Sequence, residues 1–154
     1  IICCDDADQG TEYSEDVVFV ASVGSEQGDG FFNQEVYLPD GTRVYNASDT
    51  ALFSDMKLIG ELHKPHVGLM NVTIENCFDF LPEFLTGEMT PYEAALACQW
   101  LNLDYAVACH YADKDNQDVR EFEQMLNLMR DKNGDEAPKP VVLNPGEIFE
   151  YSAK

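Results

Sequence analysis

Apolar and polar positions along the chain fall into short blocks whose period switches between that of a strand and that of a helix. Residues 17–23 and 31–38 are rich in β-branched and aromatic side chains and predict strands. Pro39-Asp40-Gly41 then predicts a tight hairpin turn into a third strand over 43–47, so the opening is antiparallel. Leu52, Met56, Ile59 and Leu62 share one face of a predicted helix over 53–62, which Pro65 stops. A short buried strand over 67–72 follows. Thr90-Pro91-Tyr92-Glu93 is a helix start, with Thr90 as N-cap, Pro91 at the first helical position and Glu93 reaching back to close a capping box. That helix should run to residue 100 or 101. Residues 105–109 predict a strand, and 118–130 an amphipathic helix through Val119, Phe122, Met125, Leu126 and Met129, ended by the polar turn Asn133-Gly134. Around Asn144-Pro145-Gly146, residues 141–143 and 148–151 predict a closing hairpin. No repeat or long linker divides residues 1–154, which therefore form a single domain. Antiparallel strands followed by strands alternating with helices predict a layered α/β sandwich.

Composition narrows the choice of partners. A chain of 154 residues that is 45% hydrophobic and 11% aromatic can build a core. Its 29 Asp and Glu against 9 Lys and Arg leave a net charge of -20, which repels phosphate backbones and anionic headgroups. Neither nucleic acid nor a membrane surface is expected as a partner, and the charge serves chiefly solubility. Cys3, Cys4, Cys77, Cys98 and Cys109 are odd in number and lack zinc-ribbon spacing, so reduced thiols and a cytoplasmic setting are expected. No apolar run approaches the roughly 20 residues of a membrane span. The sequons at Asn46 and Asn71 border predicted strands and are read as chance. Ile1-Ile2-Cys3-Cys4 has the character of a buried strand end, so further chain is expected before residue 1. The apolar stretch 76–87, with Cys77, Phe78, Phe80, Leu81, Phe84 and Leu85, suggests a contact between copies in a homo-oligomer, or failing that a lid.

Candidate chemistry sits at strand ends. Asp49 follows the strand over 43–47 and His110 the strand over 105–109, so both should emerge at matching ends of neighbouring strands. A carboxylate and an imidazole converging there suit a divalent metal, although Asp49 could equally cap a helix and His110 be a satisfied loop histidine. His63 and His66, flanking Pro65, are expected to be solvated turn residues rather than ligands.

A run of words then acquires meaning together. Val44-Tyr45-Asn46-Ala47-Ser48-Asp49-Thr50, Leu52-Phe53-Ser54-Asp55-Met56-Lys57-Leu58-Ile59-Gly60, Lys64-Pro65, Thr90-Pro91-Tyr92-Glu93-Ala94-Ala95, Ala108-Cys109-His110-Tyr111 and Val142-Leu143-Asn144-Pro145-Gly146-Glu147 occur in order across residues 40–150. This pattern resembles the metallo-β-lactamase-fold, metal-dependent hydrolases related to ascorbate-6-phosphate lactonase. The resemblance implies a four-layer αββα sandwich whose opening strands are absent from this chain. It also implies that Asp49 is the ligand that bridges two metals and His110 the last ligand histidine.

The family's signature, His-x-His-x-Asp-His, meets Ile1-Ile2-Cys3-Cys4-Asp5-Asp6-Ala7-Asp8-Gln9-Gly10 here. Cys4, Asp6 and Gln9 stand at the histidine positions and only Asp8 keeps its identity, while Glu26 is the nearest substitute for another missing histidine. The resemblance thus implies a degenerate metal set of Asp49, His110, Asp8, Asp6 and Cys4, holding one zinc or manganese ion or none. Asp49 would hold the metal, Asp8 orient the attacking water and His110 complete a site hydrolysing a lactone, ester or phosphodiester of small size. Loss of most of one metal site implies weakened or lost activity. The alternative is a non-catalytic pseudoenzyme that serves as a binding or structural subunit. A homo-oligomer, or a partner that covers the absent strands, is expected in either case.

Overall fold

The computed structural model describes residues 34–73, 88–134, 137–144 and 146–151, together with the backbone of 18–21. Among these, six strands form one sheet in chain order. β1 (Val18–Ala21), β2 (Gln34–Tyr37) and β3 (Arg43–Asn46) pair antiparallel. β4 (Val67–Asn71), β5 (Tyr105–Cys109) and β6 (Lys139–Val141) continue from β3 in parallel. The turn between β2 and β3 is the predicted one. Gly41 takes φ 87°, which only a residue without Cβ adopts freely, and the Thr42 N–H donates to Asp40 Oδ1 at 2.8 Å.

α1 (Met56–Leu62), α2 (Pro91–Leu101) and α3 (Gln117–Asn133) connect the parallel strands and pack on one face of the sheet. Tyr45, Ala47, Met70, Val72, Ala106 and Ala108 on the strand side meet Met56, Leu101, Phe122 and Leu126 on the helix side. α2 lies between the other two helices, and its Ala94, Ala95, Ala97 and Cys98 are all buried. These small side chains allow it to approach β4 closely. Its start is the predicted capping box: Glu93 N–H donates to Thr90 Oγ1 at 3.3 Å, and Thr90 N–H to Glu93 Oε2 at 2.9 Å. The opposite face is apolar too. Val44, Val67 and Val107 lie beneath Leu143, Phe149 and Tyr151, which explains why β4 and β5 read as nearly continuous hydrophobic runs. The sheet and one helix layer are two of the four layers expected. Residues 1–10 and 74–87, to which further expectations were attached, lie outside the described residues.

Gly60 marks the tightest helix contact. A Cβ there would press on the Trp100 carbonyl oxygen and lie 2.9 Å from Leu101 Cα, both backbone atoms of α2. Gly60→Ala should gain helix propensity yet lose stability by about 1–3 kcal/mol, because backbone cannot yield as a side chain does. Chemical denaturation would measure the loss, and a variant as stable as the parent would contradict the close approach.

Three expectations need correction. The helix predicted over 53–62 begins at Met56, and Leu62 is 68% exposed rather than on the inner face. Leu52 and Phe53 reach the core from the preceding loop, and Gly60 takes the inner position. Among the described residues, 141–143 and 148–151 are not paired as two strands of a closing hairpin. β6 instead pairs parallel with β5, while Phe149 and Tyr151 pack across the sheet, Tyr151 donating to Asp104 Oδ2 at 3.0 Å. The third concerns the two histidines of the turn. His63 Nδ1 lies 2.7 Å from Glu35 Oε2 and 2.8 Å from Tyr37 Oη, and His66 Nδ1 accepts the Arg43 N–H at 3.0 Å while stacking on Tyr151. Both are structural anchors. Glu35 is 3% exposed, and burying a carboxylate requires such partners.

Candidate metal centre

The ends of β3, β4 and β5 lie side by side, and the loops leaving them build one site. After β3, Ala47 N–H donates to the Leu69 carbonyl at 2.9 Å and Ser48 N–H to Asn46 Oδ1 at 3.0 Å. Ser48 adopts a left-handed φ of 49°, so the chain turns sharply into Asp49. Asn71, the last residue of β4, is 1% exposed, and its Nδ2 donates to the Thr50 carbonyl at 3.2 Å. That bond ties the Asp49 loop to the central strand. It also uses the side chain nitrogen of the sequon at Asn71.

His110 leaves β5 with φ 63°, an uncommon conformation for a residue with a Cβ. It is held from both sides. Thr73 Oγ1 donates to the His110 carbonyl, and the following Tyr111 hydroxyl donates to the Leu143 carbonyl at 2.6 Å and accepts the Leu143 N–H at 2.9 Å. The outcome is that His110 Nδ1 lies 3.0 Å from Asp49 Oδ1, with the two side chains 31% and 35% exposed. A ligand arriving from solvent can reach them.

A third group joins the pair. Ligand atoms of Asp49, Glu88 and His110 all lie within 4.8 Å of one another, and all three residues are half-buried. Glu88 stands two residues before the Thr90 N-cap, and fully buried Met89 separates them. Sequence reasoning missed it, because Glu88 follows an apolar stretch and carries no ligand spacing. Its one legible signal was a position just ahead of a rigid helix start. Of the other predicted site residues, Cys4, Asp6 and Asp8 lie outside the described residues. One imidazole nitrogen and two carboxylate oxygens suit a single divalent cation, each being a ligand at about 2.0–2.2 Å, with positions left open for water or substrate.

Comparison with known proteins agrees with this chemistry. No family model matches the chain. A UPF0173 metal-dependent hydrolase of Methanobrevibacter smithii is 36% identical over 123 residues, covering 76% of this chain and 44% of that protein. One from Methanospirillum hungatei is 38% identical over 113 residues, covering 72% and 44% respectively. The chain is homologous to the UPF0173 metal-dependent hydrolases. It spans 44% of the length of these two UPF0173 relatives. Among solved structures, Igni18, described as a novel metallo hydrolase from the archaeon Ignicoccus hospitalis, superposes with a TM-score of 0.62 at 26% identity, covering 89% of this chain and 55% of Igni18. The α/β fold of the described residues is thus shared with Igni18. No helix among the described residues is long and apolar enough to cross a membrane.

Proposed function

We propose that this chain is the site-bearing part of a metal-dependent hydrolase, with one divalent cation held by Asp49 and His110 at the ends of β3 and β5. The observation that carries the reading is the 3.0 Å approach of these two side chains from separate strand ends in a homologue of metal-dependent hydrolases. A bound divalent ion supplies Lewis acidity to a carbonyl or phosphoryl oxygen and a lowered pKa for water. Zinc and manganese both accept this donor chemistry. The chain's own residues do the rest. Asp49 supplies negative charge and an oxygen ligand, and His110 a neutral nitrogen, held in orientation by the Thr73 and Tyr111 bonds. Asn71 keeps the Asp49 loop in place, and Asp8 is assigned to orient the attacking water. The substrate class is a small lactone, ester or phosphodiester.

A second reading is favoured by Cys4, Asp6 and Gln9, which stand where the resemblance implies signature histidines. In it the chain binds a cation weakly and acts as a non-catalytic subunit, covered by a second copy or another protein. Elemental analysis of the purified full chain, paired with turnover assays on lactone and phosphodiester substrates, separates the two. At most one ion per chain with measurable, metal-dependent turnover is the expected result. One ion without turnover selects the subunit reading, and no ion at any concentration tested rejects the hydrolase reading.

A further inference from the structure

Glu88 belongs to no word of the resemblance, yet its carboxylate shares a 4.8 Å neighbourhood with Asp49 and His110. Two carboxylates held that close favour a positive charge or a proton donor beside them, and the protein already carries a net charge of -20. His110 partners Asp49 directly. The backbone that carries Glu88 is held on its C-terminal side, because the residues after it are fixed. Met89 is fully buried in the core, and Thr90 is locked by the capping box that starts α2. An independent feature lies at the same strand ends. Asn71, on the strand between those carrying Asp49 and His110, is buried, its nitrogen ties down Thr50, and its Oδ1 has no partner among the described residues. A buried amide oxygen without a donor is costly, and an amide oxygen is also a hard, neutral donor of the kind oxygen-rich cation sites employ.

We propose that Glu88 is a direct third ligand, so that Asp49, Glu88 and His110 form a two-carboxylate, one-histidine centre for a hard divalent cation of the manganese type. The proposal rests on the cation-binding reading of Asp49 and His110 given above. It would supply from within this chain a carboxylate ligand where the resemblance implies lost histidines at Cys4, Asp6 and Gln9. Oxygen donors outnumber nitrogen in the resulting set, and such sets suit manganese better than histidine-rich ones do.

The test uses the full chain stripped with chelator and titrated with manganese chloride, following free Mn2+ by electron paramagnetic resonance and heat by calorimetry. Glu88→Gln removes the charge at constant shape. Glu88→Asp keeps the charge but withdraws it by one methylene. Both should bind Mn2+ at least ten-fold more weakly than the parent, while metal-free melting curves stay superimposable. If Glu88→Gln binds as the parent does while Asp49→Asn does not, Glu88 is a bystander and the Asp49 and His110 reading survives. If Glu88→Asp alone binds normally, the carboxylate acts through space and ligation is overturned. A parent that takes up no Mn2+ removes this proposal, and if it takes up no other divalent ion the reading beneath it falls as well.

Discussion

Asp49→Asn should lower affinity for a divalent cation on the order of 100-fold or more, since even residues that only support a ligand are worth 10–100-fold. The substitution keeps the side chain's shape and removes its charge, so a neutral carboxamide oxygen replaces a carboxylate beside His110. The backbone around it depends little on that charge. Ser48 is turned by Asn46, and the Thr50 carbonyl is held by Asn71. The half-exposed pair with His110 is itself worth about 0–1 kcal/mol, so the metal-free variant should melt close to the parent. Added metal should separate them. An ion present at about 100 times its dissociation constant stabilises by about 2.7 kcal/mol, a gain the variant should lack. Calorimetric titration and melting with and without manganese or zinc would measure both effects. Unchanged affinity in the variant would sink the assignment of Asp49, and two tightly held ions in the parent would show a fuller site than these ligands provide.

Phe122→Ala is the substitution expected to cost most in stability. Phe122 is 0% exposed, on the face of α3 that also buries Val119 and Leu126 against the main core. Truncating a buried phenylalanine costs about 3–5 kcal/mol, a large part of the roughly 5–15 kcal/mol that holds a domain folded. The melting temperature should fall by roughly 10 °C. Leu128 lies on the same helix but is 58% exposed, so Leu128→Ala should change stability by about 0.5 kcal/mol or less. Thermal unfolding of the two variants beside the parent decides the matter. A Phe122→Ala protein melting within a degree or two of the parent would mean that α3 does not pack as described.

The locally encoded features were legible from sequence. The Thr90 to Glu93 capping box, the Asp40-Gly41 turn and the strands ending before Asp49 and His110 each depend on residues close together in the chain. Each was found where expected. Asp49 and His110 could be named because a strand end hands its next residue to the sheet edge, and the two strands needed only to lie in one sheet. Tertiary structure decided what depends on distant neighbours. Gly60 faces inward because α2 passes against it, and Leu62 then faces solvent, which helical spacing alone could not reveal. His63 and His66 look like turn residues in the chain, but Glu35, Tyr37, Arg43 and Tyr151 reach them from elsewhere in the sequence. Residues 139–141 join β5 in parallel because α3 returns the chain to the sheet edge beside β5. Glu88 enters the metal centre for the same kind of reason. Its carboxylate is 39 residues from Asp49 and 22 from His110 in the numbering, and only the packing of α2 on the sheet brings the three within 4.8 Å.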